Sequence, residues 1–167
     1  MRWLTPSILA MALSIGITSG PALAKDSLGI FEGWGAFRDS RVPRCYAISQ
    51  PVDVRGKQNY KAYASIGYWP KRRIRGQLHI RLSRAIEAGA KITASTGGRS
   101  FILVGGGGDV WAKDARMDAA IIAALRSAER LVITATDQRG KSIRDVYALR
   151  GAATAMDAAA LGCAQLG

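Results

Sequence analysis

The side chains best suited to chemistry gather in one stretch, Trp69-Pro70-Lys71-Arg72-Arg73-Ile74-Arg75, with Arg81 and Arg84 following. Each guanidinium offers a planar fork of donors that sulfate, phosphate or carboxylate oxygens accept two at a time, and an indole ring beside them adds an apolar contact. The chemistry this points to is recognition of anionic groups, with Trp69, Lys71, Arg72, Arg73, Arg75, Arg81 and Arg84 as the binding set. The same residues also fit a solvated loop whose charge keeps a sheet edge from pairing with another chain.

Catalysis finds no comparable constellation. His79 is the sole imidazole, and a serine triad would need it as base, yet no Gly-x-Ser-x-Gly elbow accompanies it. A lysine base stays open. Glu32, Glu87 and Glu129 are the only glutamates and fall in or near expected connections, so nothing pairs two carboxylates for glycoside cleavage. The run Gly105 to Gly108 lacks the Lys-Ser/Thr ending of a phosphate loop, and Trp111 follows where a dinucleotide-binding turn would open a helix. It reads as a tight connection into the Trp111 segment. Asp109, Asp114 and Asp118 do not follow calcium-loop spacing, and two cysteines with one histidine lack the close spacing of a zinc site. The reading is of no enzyme, no metal and no cofactor.

These side chains need a scaffold, and the patterning supplies strands. Alternating or β-rich runs cover Trp34 to Arg38, Arg44 to Ser49, Tyr60 to Tyr68, Gln77 to Ser83, Ala90 to Ser95, Ser100 to Val104, Leu131 to Thr136 and Ile143 to Leu149. The period is clearest where Leu78, Ile80 and Leu82 face a core while Gln77, His79 and Arg81 face water. Turn chemistry at Thr96-Gly97-Gly98 and Asp137-Gln138-Arg139-Gly140 separates strands. Asp114 suits the cap of a helix carrying Met117, Ile121 and Leu125 on one face, and an alanine-rich run from Ala152 to Leu161 places Met156, Ala160 and Cys163 on one side. Lys25 to Gly33 reads as a short leader to the first strand. The expected fold class is all-β, a sandwich or barrel with one or two short helices.

The chain opens with a positive start at Met1 and Arg2, an apolar run from Ile8 to Ile17 too short to span a bilayer, and the small-x-small site Ala22-Leu23-Ala24. Residues 1–24 therefore read as a signal peptide and residues 25–167 as one mature domain without a membrane span, placed in the periplasm or secreted. Removal of Arg2 with the leader leaves 23 basic against 12 acidic residues, a formal charge of +11. An exported basic protein meets lipid head groups, lipopolysaccharide and acidic polymers rather than nucleic acid. Cys45 and Cys163 are the only cysteines, and an oxidising compartment allows them a single intramolecular bridge.

Dispersed motifs carry a resemblance over nearly the whole mature chain. Cys45-Tyr46-Ala47-Ile48-Ser49-Gln50-Pro51, Tyr63-Ala64-Ser65-Ile66, Phe101, Asp109-Val110-Trp111-Ala112, Arg139-Gly140 and Asp145-Val146-Tyr147-Ala148-Leu149-Arg150-Gly151, before an alanine-rich end with Cys163, resemble the invasion-associated locus B family. The resemblance implies an exported bacterial protein with an immunoglobulin-like β-sandwich and no catalytic residues or cofactor. The expected role is a non-enzymatic interaction module for an anionic envelope or cell-surface component. The alternative is an envelope enzyme acting on an anionic polymer. An acidic pair converging in a cleft would favour the enzyme, and a basic or aromatic surface without one would favour binding.

Overall fold

A computed structural model describes residues 25–39 and 41–164 of the 167-residue chain. The signal peptide expected over residues 1–24, with its cleavage motif, lies outside the described residues. Eleven strands form one continuous antiparallel sheet. In chain order they are β1 (Asp26–Phe31), β2 (Trp34–Asp39), β3 (Arg44–Ser49), β4 (Asp53–Val54), β5 (Tyr63–Trp69) and β6 (Ile74–Arg81). These are followed by β7 (Ile92–Thr96), β8 (Arg99–Gly106), β9 (Asp109–Trp111), β10 (Arg130–Thr136) and β11 (Ser142–Ala148). Helix α1 (Ala115–Leu125) separates β9 from β10, and α2 (Ala152–Ala164) closes the described chain. The spatial order is β1-β2-β3-β5-β6-β9-β8-β7-β10-β11-β4.

The long strand β8 links the two halves of the sheet. Its first part, Arg99 to Leu103, pairs with β7, and Val104 to Gly106 pairs with β9. One core serves both halves and both helices: Ile66, Leu78 and Ile80 from one, Leu131, Ile133 and Ile143 from the other, and Ile121, Leu125 and Met156 from the helices are all buried. The class is all-β and sandwich-like with two helices, as the alternation predicts.

Small side chains set how α2 lies. Its buried residues Ala152, Ala155, Met156, Ala159 and Cys163 recur at helical spacing, and the helix packs on β1, β2, β3 and β5. There Ala36 stands directly opposite Ala47, with Ala64 also fully buried nearby. Alanine against alanine lets helix and sheet approach closely, and the Cys45–Cys163 disulfide, with Cα atoms 5.5 Å apart, ties the helix end to β3. Entry into α2 depends on Gly151, whose φ of 85° lies in the left-handed region and whose missing side chain leaves room for the Phe31 carbonyl. Ala160 departs from expectation: it sits to the side of the buried line and faces a surface cleft.

The segment Lys25 to Gly33 is not a leader. Asp26 to Phe31 pairs with β2 as an edge strand. Its DSLGIF sequence lacks alternation because no position of it is fully buried and its register against β2 shifts between Ser27 and Gly29. The two-residue β4 and the three-residue β9 also escape the pattern, being too short to show a period. The Gly105 to Gly108 run is the connection expected, a hairpin in which Gly106 pairs with Asp109.

Candidate functional site

The basic stretch becomes a four-residue hairpin connection between paired Trp69 and Ile74. Pro70 opens a single 3₁₀ turn, Pro70–Arg72, because its fixed φ suits the first helical position. Arg73 then adopts the left-handed conformation, φ 55°, and donates its backbone N–H to the Pro70 carbonyl at 2.9 Å. Such a conformation in a non-glycine residue persists only where its surroundings impose it, here the reversal from β5 into β6. Lys71, Arg72, Arg73 and Arg75 are all exposed, and among the described residues none of them is ion-paired. Trp69 folds back over Gly67, where any side chain would collide with the indole. The ring thus lies on the outer face of the sheet and pins the start of the turn.

Beneath the turn a cleft of about 770 Å³ opens between the β5–β6 hairpin, α1 and α2. Its floor is apolar, formed by Tyr68, Ile74, Ile122 and Ala160 beside the disulfide at Cys163. Three arginines line it: Arg73 and Arg75 from the hairpin and Arg126 from the end of α1. Arg126 donates to Asp157 on α2 at 2.6 Å. That hydrogen bond raises the arginine's pKa and lowers that of Asp157, so both stay charged.

The remaining two predicted binding residues lie elsewhere. Six positions along β6 carry Arg81 about 20 Å from Arg75, and there it binds the Asp109 carboxylate. Its guanidinium also stacks 4.0 Å from the Tyr60 ring centroid. His79 Nε2 donates to the other Asp109 oxygen at 2.9 Å, and its ring stacks on Trp111 and meets Tyr63 edge-on. Arg84 is buried, pairs with Asp137 at 3.3 Å and donates to the Ser142 carbonyl at 2.6 Å. Its charge is occupied in holding the β10–β11 turn, so the binding set divides: Trp69, Lys71, Arg72, Arg73 and Arg75 share one hairpin, Arg81 belongs to an outer-face network, and Arg84 is part of the frame.

The buried carboxylates are committed in the same way. Asp118, inward on α1, accepts the Leu78 backbone N–H at 2.8 Å. Asp145 accepts the Ser83 N–H at 2.8 Å and its hydroxyl at 2.6 Å. Burial raises the pKa of both. Asp137 is instead lowered, first by the Lys141 N–H and then by the Arg139 N–H and the Arg84 charge. Each terminates a backbone group that the fold leaves unpaired.

The family model described as Invasion associated locus B (IalB) protein matches residues 36–160. The chain belongs to this family. The match runs from β2 into α2 and contains both the basic hairpin and most of the cleft wall. Membership supports an exported, envelope-associated protein. No curated protein and no solved structure matches the chain. No helix among the described residues is long and apolar enough to cross a membrane.

Sequence reasoning about this IalB-family chain found the basic loop but missed its hairpin geometry, Arg126, Ile122 and the cleft they share with it. Arg126 stands alone in the sequence, 51 positions beyond Arg75, and nothing local marks it. The one available signal was the expected helix itself: with Ile121 and Leu125 buried, Ile122 falls on the flank of α1 and Arg126 at its C-terminal end.

Proposed function

We propose that this IalB-family chain is an exported, non-enzymatic binding module that docks through its basic hairpin on an anionic component of the envelope or of another cell's surface. The observation that supports this reading is a set of four exposed cations, unpaired among the described residues, on one hairpin: Lys71, Arg72 and Arg73 in its turn and Arg75 just inside β6. Isolated surface charges are largely screened at physiological salt, whereas several on an ordered turn engage several anionic groups at once. Membership in an exported family puts lipopolysaccharide, lipid head groups and acidic glycans within reach. The acids with shifted pKa values favour binding over catalysis, since each is spent on backbone or arginine rather than facing another carboxylate across an open cleft.

The test replaces Lys71, Arg72, Arg73 and Arg75 together with serine. Affinity for lipopolysaccharide or a heparin-like polymer should fall about tenfold or more, which is about 1.4 kcal/mol, and its salt dependence should flatten. The melting temperature should stay near that of the parent, because none of the four is buried. Binding equal to the parent's would reduce the hairpin to a solvated turn and remove this function's support.

A further inference from the structure

The cleft under the hairpin combines two surfaces that a polymeric anion cannot use together. A glycan or other polyanion would satisfy the guanidiniums and leave Tyr68, Ile74, Ile122 and Ala160 facing water. An uncharged apolar molecule would cover that floor and strip water from Arg73 and Arg75 without replacing it. Only a ligand with an apolar tail and an anionic head completes both, gaining from burial of its tail and from charge-assisted hydrogen bonds at its head.

We propose that this cleft holds the acyl chain of a single-chain anionic amphiphile, whose carboxylate or phosphate head meets Arg73, Arg75 and Arg126. The inference rests on the reading of the hairpin as an anion-binding element and names the class of ligand for it. About 770 Å³ is within the usual range for small-molecule sites, roughly 300 to 1,000 Å³. Among the described residues no carboxylate lines the cleft, so an anionic head meets the guanidiniums of Arg73 and Arg75, while Asp157 engages one nitrogen of Arg126 and holds that guanidinium in place with its other N–H donors left over. The walls are pre-formed. The disulfide fixes α2 to β3, with Cys163 Sγ 3.6 Å from the Tyr68 carbonyl oxygen, and Gly76, whose φ is 119°, leaves room for the Ile122 side chain to reach down onto β6. A cleft that need not be ordered on binding loses less affinity to entropy.

The test titrates laurate, dodecyl phosphate and methyl laurate, each below its aggregation limit, into the disulfide-bonded protein by calorimetry, with heparin binding measured in parallel. Laurate or dodecyl phosphate should bind saturably, and the tighter of the two identifies the head group as carboxylate or phosphate. Methyl laurate should bind about tenfold more weakly or worse. Ile122→Trp, which fills the cleft from α1, should weaken the anionic probe about tenfold while heparin binding persists. Ala160→Phe fills it from α2 and serves the same purpose should the first variant fail to fold. Parent-like laurate and dodecyl phosphate binding by a folded, cleft-filled variant would overturn the proposal, as would equal affinity for methyl laurate. Heparin binding with no binding of either anionic amphiphile would also overturn it and leave the hairpin reading intact. Amphiphile binding lost on filling the cleft, in a protein that does not bind heparin, would establish the cleft and overturn the polyanion reading.

Discussion

Single residues at buried positions do jobs that their type alone does not announce. Asp118 is an acid inside a hydrophobic contact, and it is kept because β6 leaves the Leu78 N–H facing α1 with no strand to accept it. Desolvation lifts its carboxyl above the usual range, the Leu78 N–H opposes that rise, and Asp114 adds to it. The folded protein therefore holds this proton more tightly than the unfolded chain does. Its contribution to stability is greatest at low pH and is lost as pH rises through the raised value. Asp118→Asn should retain the acceptor and abolish that part of the pH dependence, whereas Asp118→Leu should strand the Leu78 N–H and cost about 1 to 3 kcal/mol. Urea denaturation of both variants across the acidic range separates the two effects. An Asn variant as pH-sensitive as the parent would assign the titration to another group.

At the scale of elements, the alternation of β3, β6 and β10 was legible because each buries one face more than the other. Strands β1, β4 and β9 were not, since an edge or a very short strand is defined by the partner that pairs with it rather than by its own period. The connection between β5 and β6 was legible as basic but not as a hairpin with a left-handed Arg73. The cysteines tie the two ends of the fold across a sequence separation of 118. Closing a loop of that order contributes roughly 4 to 5 kcal/mol in the chain-entropy account. Cys45→Ser with Cys163→Ser, or reduction of the parent, should therefore lower the denaturation midpoint substantially, with α2 the first element to lose amide protection. A midpoint unmoved by reduction would mean that alanine packing alone secures the helix.

For the whole molecule, the position of the first strand bears on export. Asp26 opens β1, pairs with Arg38 in the ladder and meets its guanidinium at 2.9 Å. Cleavage after Ala24 would remove the leader and leave that strand entire, with Lys25 at the new terminus. N-terminal sequencing of the protein recovered from the envelope fraction should read Lys25-Asp26-Ser27. An intact Met1 form there would reject the cleavage. The formal charge of +11 that cleavage leaves supports attraction to anionic surfaces at a distance, and ion pairs place part of the basic complement inside the fold: Arg38, Arg144, Arg81, Arg84 and Arg126 meet Asp26, Asp53, Asp109, Asp137 and Asp157.

What the sequence determined by itself was whatever depends on residue type and spacing along the chain: the β class, one or two helices, the pairing of two lone cysteines, the family, and a basic connection between strands. The family rests on the resemblance its dispersed motifs carry; the others follow from residue type, local periodicity or a count that leaves one answer. Only the tertiary structure decided which cations lie together. Arg84 lies nine positions from Arg75 yet is buried against Asp137, while distant Arg126 lines the same cleft as Arg75. Spacing tells which residues share a face of one strand or helix; which faces meet across a cleft is set by how α1 and α2 pack on the sheet, and that depends on contacts between segments remote in sequence.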